Sequence, residues 1–562
     1  MIPVSKSIEA DVVIVGGGIG GAMAAIAAAD GGAKNVVVLE KCNVKRSGSG
    51  ATGNDHFSCY CPEVHGDDLE GVLKEVMGSL IGQAKDVELM RLHLKESFDI
   101  VKMWEEWGIN MRPLGHWNFQ GHALPGKPRA FLKFDGRKQK AVLAEQMKKR
   151  GVTVLNHHPV VELAKGNGRV CGALAIDATT PEPSFVLVKA PCVVLSTGLT
   201  HRLYINGSTP NYLFNTAHCP NNAGGQALGW RIGASMVNME IPYTHAGIKY
   251  LQRAGKATWI GVYRYPNGKP LGPFVTKPDP EYGDVTSDIW NSAFIDVMHN
   301  GQGPAYLDCS ENTPDTLAYM RKAMFDEGLS GLIGYMDAKG IDPAKHAVEF
   351  TRYEPILHGR GLDVDKDGQT TVPGLFAAGD LVGNAGCGLG LAAWMGWRAG
   401  HTAAASATAA SAVPCDIAGN PAIKAKMELL SSFMDREEGA DWQEANIALT
   451  QIMSDYANIG PYQVRSETLL NAGLTYLGQL REETSSSLKA TCSHTLMRAA
   501  EVLDLFDCAE CIIRSAMERK ETRGNHKRAD FTFTNPLLAD KMLDVTKQDD
   551  GTIVTSWREI RK

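Results

Sequence analysis

From Val12 to Leu39 the chain reads VVIVGGGIGGAMAAIAAADGGAKNVVVL, and no other stretch constrains the fold as tightly. VVIV is a β-branched run without polar alternation, as in a strand buried on both faces. Gly16-x-Gly18-x-x-Gly21 leads into an alanine-rich helix that Gly31 and Gly32 stop, and NVVVL is a second buried strand. Strand, tight turn, helix and strand in this order predict a parallel βαβ unit. Its glycines admit a pyrophosphate to the free amides of a helix N-terminus. Glu40 ends the second strand, 19 residues after Gly21, where an acidic side chain accepts from ribose hydroxyls.

Beyond Glu40 the sheet does not continue as in a nicotinamide-dependent dehydrogenase. A Gly/Ser loop and a long helical section follow, and buried-strand patterns return only near residues 152–176, at PCVVLSTGL and at GLFAAGDLVG. A nucleotide domain assembled from such separated pieces suggests FAD, a long cofactor that needs contacts from several segments. The expected fold is α/β: a Rossmann-like FAD-binding domain in two parts (1–240 and 350–412), an inserted α+β capping domain (241–349) and a C-terminal helical domain (413–562). The insert is marked by Pro, Gly, Tyr and Trp, as in YRYPNGKPLGPF.

The net charge of −6 and the absence of a long Lys/Arg run argue against nucleic acid and anionic membranes as partners. The most apolar stretch, AAWMGWRAGHTAAASATAASA, is interrupted by Arg398 and His401, and no apolar run reaches the roughly 18 residues of a membrane span. With no secretory signal at the start, a cytoplasmic protein is expected. The twelve cysteines are scattered and lack the tight spacing of an iron–sulfur site. They are expected to be buried, reduced thiols with no metal.

Several ordered motifs give the chain a resemblance over nearly its whole length. They are the N-terminal fingerprint, LSTGL (195–199), NNAGGQALGWRIGASMVNMEIPYTHAG (221–247), VPGLFAAGDLVG (372–383) and ERKETRGNHKRADF (518–531). With these the chain resembles the flavoprotein subunits of the fumarate reductase, succinate dehydrogenase and adenylylsulfate reductase superfamily. The resemblance implies a cofactor set of Gly16, Gly18, Gly21, Glu40, Lys41, Ser47, Gly48, Gly53, Thr197, Gly198, Gly379 and Asp380. It places His245 at substrate, with Asn54 and Trp259 beside it. Where membrane-bound relatives carry RSH, with the histidine linked to flavin, this chain has Arg46-Ser47-Gly48. Glycine cannot form that bond, so the resemblance implies non-covalent FAD. EEWGINM (105–111), AGKATW (254–259) and SHTLMRA (493–499) look more like the adenylylsulfate reductase branch, ETRGNH like the fumarate side.

Departures bear on the substrate. The family's fumarate reductases clamp dicarboxylates with two arginines, and bidentate guanidinium binding explains the choice. Neither arginine has a counterpart here: the matching segments read AGKATWIGVYRYPNG and GDLVGNAGCGLGLAAW. LHGRG instead places His358 and Arg360 on the approach to the flavin, where Arg360 could hold an anion. The expectation is a two-electron flavin oxidoreductase acting on a small anionic substrate, adenylylsulfate-reductase-like, with His245, His358 or Arg360 stabilising charge or moving a proton. By resemblance its partner is a ferredoxin-like iron–sulfur subunit. Two alternatives stand beside it: a stand-alone soluble fumarate-reductase-like flavoenzyme, and an electron-relay flavoprotein with a degenerate substrate pocket.

Overall fold

The computed structural model describes the chain outside residues 52–55, 80–83, 120–122, 124–125, 206–223, 245, 250–258, 274, 283–292, 295–296, 298–299, 327–328, 410–414 and 460–464. At its centre is a five-stranded, all-parallel sheet in the order Leu375–Ala377, Cys192–Leu195, Val12–Val15, Val36–Glu40, Thr153–Asn156. Val12–Val15 and Cys192–Leu195 are buried along their whole length, which explains their unbroken apolar sequence. Helix Ile19–Asp30 lies against the sheet and packs on helix Leu389–Ala409. Glycines allow that second contact: a Cβ on Gly396 would stand 2.1 Å from the Gly20 carbonyl oxygen, and one on Gly400 2.2 Å from that of Ala24. The most apolar stretch of the sequence is thus a helix buried by a helix. Among the described residues no helix is long and apolar enough to cross a membrane.

Beside the central sheet, Val4–Glu9, Ser184–Lys189, Arg169–Asp177 and Val160–Gly166 form a second, mixed sheet. A third sheet, Ala246–Ile248, Val348–Arg352, Ala305–Asp308 and Val262–Arg264, is antiparallel. It belongs to a hydrophobic cluster drawn from residues 246–350, separate from the main core.

Four helices follow, Pro421–Asp435, Trp442–Tyr456, Glu467–Ser487 and Ser493–Glu518. The helical character expected for the C-terminal region stops there. Lys541–Lys547 and Ile553–Glu559 form an antiparallel hairpin that pairs back onto Met236–Val237. Cys171 and Cys415 are disulfide-bonded, which corrects the expectation of reduced thiols at these two positions. They lie 244 residues apart, so spacing could not reveal the pairing. The other nine described cysteines are free.

Candidate flavin site

Each of the three central strands ends at a loop that walls one cleft. Gly16 follows Val15, Ser196 follows Leu195, and Ala378 follows Ala377; the amides of Ser196 and Ala378 donate to the carbonyls of Val15 (2.8 Å) and Leu195 (2.9 Å). The cleft therefore opens at the carboxyl ends of parallel strands, where open α/β sheets bind ligands. It encloses about 1330 Å³ of atom-free space, counted to its open mouth.

The fingerprint glycines divide their work. Gly16 has φ +95°, and a Cβ there would meet the Ser196 carbonyl oxygen at 2.5 Å. At Gly21 a Cβ would stand 1.8 Å from the carbonyl oxygen of Gly16, so this glycine permits helix and turn to close on each other. At Gly18 a Cβ would meet nothing within 4 Å, because the position faces the cleft. Gly18 caps helix Ile19–Asp30, whose first turn has no acidic residue and no side-chain cap. Its amides are left for an anion.

Glu40 is buried and ties the turn in place. Its Oε2 accepts from Gly17 N at 2.5 Å and its Oε1 from Cys42 N at 2.7 Å. Lys140, which sequence reasoning missed, donates from beneath to the Gly17 carbonyl. Burial lowers its ammonium to about 8 against the pull of Glu40. Gly48 lies across the turn with φ +81°, its Cβ position 3.4 Å from Gly18 Cα. A histidine there would need a left-handed backbone that L side chains disfavour.

Of the anticipated cofactor residues, Gly16, Gly18, Glu40, Lys41, Ser47, Gly48, Thr197, Gly198, Gly379 and Asp380 line this cleft. Gly21 lies behind it, and Gly53 is outside the described residues. The hydroxyls of Ser49 and Thr197 are buried without a hydrogen-bond partner. Such orphaned groups in a cleft fit a polar cofactor, since buried hydroxyls are otherwise satisfied.

His358 also lines the cleft, with Nε2 3.3 Å from Asp380 Oδ1 and its ring set edge-on to Tyr243 at 5.2 Å. Burial alone would lower its pKa, but Cys387 and Asp380 outweigh burial and carry it up to about 10. Behind it two buried cations converge. Arg360 donates from Nη1 to the Gly359 carbonyl (2.7 Å) and from Nε to that of Ile241 (2.5 Å). Lys85 Nζ donates to the same Gly359 carbonyl and, at 2.7 Å, to that of Gly383. Among the described residues neither makes a salt bridge. Burial, and then Arg360, holds the Lys85 ammonium well below its usual range; burial likewise lowers Arg360. Lys85, 274 residues from Gly359, had no sequence signal.

His245 and Asn54 lie outside the described residues. Trp259 does not stand in the cleft wall. It is 1% exposed within the hydrophobic cluster of residues 246–350, and Arg360 and Lys85, likewise buried, do not line the cleft either.

The C-terminal ERKETRGNH motif builds a buried ion network. Arg519 Nε donates to Glu240 Oε1 at 2.6 Å and its Nη1 to Glu521 Oε1 at 2.7 Å, all three side chains fully buried. Arg465 Nη1 donates to His526 Nδ1 at 2.9 Å while His526 Nε2 donates to the Arg519 carbonyl. Burial and Arg465 keep this imidazole neutral, far below its usual pKa. The motif holds the C-terminal helices on the Met-Glu segment that precedes His245.

Fold and cleft together define a flavoprotein oxidoreductase that uses FAD. The chain belongs to the FAD binding domain family, whose model matches residues 11–391, and a model of the fumarate reductase flavoprotein C-terminal region matches residues 447–556. One relative is a component of the fumarate reductase (CoM/CoB) of Methanothermobacter marburgensis, 25% identical over 570 residues and covering 95% of this chain and 96% of that one. To the fumarate reductase flavoprotein subunit of Haemophilus influenzae the chain is 22% identical, covering 94% and 90%. Its fold matches adenylylsulfate reductase from Archaeoglobus fulgidus (TM-score 0.82, 22% identity, 100% and 97% covered). It matches quinol fumarate reductase from Escherichia coli similarly (0.81, 22%, 99% and 97%).

Proposed function

We propose that this FAD-dependent oxidoreductase exchanges two electrons between a small anionic substrate, of the adenylylsulfate type rather than a dicarboxylate, and an iron–sulfur partner subunit. One observation carries the substrate reading. Lys85 and Arg360, buried and in no salt bridge among the described residues, though Cys387, Asp86 and Glu240 act on them at longer range, share one carbonyl behind His358 in a chain that lacks both dicarboxylate-clamping arginines. A buried guanidinium without a salt bridge, and an amine that an anion would help to protonate, favour an anion nearby, because a poorly compensated buried charge costs several kcal/mol.

When bound, FAD supplies two-electron chemistry at its ring system and one-electron release to a carrier. Glu40 and the Gly16–Gly18 turn would hold its ribose and pyrophosphate, with Ser47, Thr197 and Gly198 as further contacts. His358, kept protonated by Cys387 and Asp380, donates a proton or hydrogen bond to the substrate. Arg360 and Lys85 would act on the negative end of the substrate from behind His358, and the resemblance assigns His245 to the substrate as well. Oxidised sulfur compounds are the leading substrate class. The partner follows from the resemblance and from the scattered cysteines, since among the described residues none cluster as metal ligands.

A stand-alone fumarate-reductase-like enzyme is the second reading; the names of the relatives favour its fumarate chemistry, although those relatives are themselves subunits. An anaerobic assay with a reduced viologen dye separates the two. Turnover of adenylylsulfate, with fumarate inert, supports the first; efficient fumarate reduction overturns it. Co-purification of an iron-bearing brown complex supports the partner, and a plain yellow chain contradicts it.

A further inference from the structure

A second buried ion network lies beside the two cations behind His358. Asp86 follows Lys85 directly, and Asp363 comes three residues after Arg360. Both carboxylates are buried, and both are held by Arg558, in the last strand of the hairpin, and Arg561, just after it. Arg558 grips Asp86 as a fork, Nη1 to Oδ1 (3.0 Å) and Nη2 to Oδ2 (2.9 Å), and its Nη2 also donates to Asp363 Oδ1 at 2.6 Å. Arg561 repeats the bridge, from Nη1 to Asp86 Oδ2 (3.3 Å) and from Nη2 to Asp363 Oδ2 (2.9 Å). A third acid, Asp544, accepts from Ser235 Oγ at 2.8 Å and stands 3.7 Å from Arg558 Nε.

Asp86 is drawn out of its local role. It is the N-cap of helix Val87–Glu106, where an aspartate ordinarily accepts from amides of the first turn, yet its side chain makes no such bond. The Val87 and Glu88 amides donate instead to the Arg561 carbonyl, at 2.8 and 3.3 Å. The Arg561 amide in turn donates to Asp86 Oδ1 at 2.7 Å. Asn384 closes the network, donating from Nδ2 to Asp86 Oδ2 (2.8 Å) and to the Val364 carbonyl (2.7 Å). The residue before it is Gly383, whose carbonyl accepts from Lys85. The two arginines thus tie together the segments 85–88, 359–364 and 383–384, which meet at Lys85.

Charge links this network to the anion. Asp86 already acts on Lys85 at longer range. A buried carboxylate stripped of its partners draws on the next available cation, because an uncompensated buried charge is strongly disfavoured. With Arg558 and Arg561 in place, two guanidiniums answer Asp86 and Asp363, and Lys85 keeps its bonds to the Gly359 and Gly383 carbonyls.

We infer, on the substrate reading proposed for this site, that Arg558 and Arg561 are positioning residues. They occupy Asp86 and Asp363, so that Lys85 and Arg360 are left to act on an anion at His358.

Calorimetric titration of the FAD-loaded full chain with adenylylsulfate tests the inference. Arg558→Ala should bind it at least about tenfold more weakly than wild type, at unchanged FAD content. Adding Asp86→Asn to that variant should recover most of the loss, because the carboxylate is what draws on Lys85. A merely structural role would leave the double variant as weak as the single one, or weaker. Wild-type affinity in Arg558→Ala, or no recovery in the double variant, overturns the inference while the substrate reading stands. Wild-type protein that binds no adenylylsulfate overturns the substrate reading and this inference with it. If Arg558→Ala does not fold, Arg561→Ala, alone and combined with Asp86→Asn, decides by the same two comparisons.

Discussion

His358 Nε2 stands 3.3 Å from Asp380 Oδ1, joining the strand that reaches the Gly379 turn to the segment that carries Arg360. The pair has a defined pH window. Burial opposes both charges, yet His358 is carried up to about 10 and the Asp380 carboxyl is held below its usual range. The raised histidine stabilises the fold fully below about pH 6.5 and loses that contribution as pH rises through about 10. The depressed carboxylate contributes above about pH 3.9 and loses its contribution as pH falls. In Asp380→Asn the alkaline loss should begin closer to neutrality. Thermal midpoints between about pH 6 and 11 check this; superimposable profiles contradict it.

Gly18 and Gly21 should fail differently. Gly18→Val projects into the cleft, where no protein atom meets its Cβ, so the chain should fold normally and purify without flavin. Gly21→Ala drives a Cβ against the Gly16 carbonyl and should destabilise by about 1–3 kcal/mol or more. Flavin content and thermal midpoint, measured on both variants, distinguish the roles. Full flavin occupancy in Gly18→Val would show that the turn does not face the cofactor.

Flavin should leave the protein intact on acid precipitation. Gly48 offers no atom for a covalent link, and its φ of +81° disfavours any side chain there. All yellow colour is expected in the supernatant; colour retained in the pellet counts against non-covalent binding.

Glu240→Ala should cost about 3–5 kcal/mol, because it leaves the fully buried Arg519 with one of its two carboxylate partners. Chemical denaturation of the FAD-loaded protein measures this. A loss under about 1 kcal/mol, the scale of a surface pair, would contradict the network's role.

The nucleotide half of the site was legible because its demands are local. Gly16, Gly18 and Glu40 sit within one βαβ unit, and backbone approach and strand polarity fix them without knowledge of the rest. Asp380 was reached through the resemblance alone, and the structure places it in the cleft wall. Lys85 and Lys140 were not legible: each reaches a carbonyl more than 100 residues away, and an isolated lysine near a helix start reads as surface. SHTLMRA stood out in the sequence, but periodicity shows only that a helix buries one face, not that the face meets a cleft. Trp259 rested on a motif match alone, which carries no information about the surroundings of an indole; the structure places it in the hydrophobic cluster of residues 246–350.

Titration of the oxidised holoenzyme with substrate anion tests the cation pair most directly, with flavin absorbance as the readout. Wild-type protein should bind adenylylsulfate, and fumarate should leave the spectrum unchanged. Arg360→Ala should weaken the anion by about 1.5–3 kcal/mol, roughly 10- to 150-fold, at unchanged FAD content. Tight fumarate binding by the wild type, or an Arg360→Ala enzyme with wild-type affinity, would contradict the assignment of Arg360 and Lys85 to an anionic substrate.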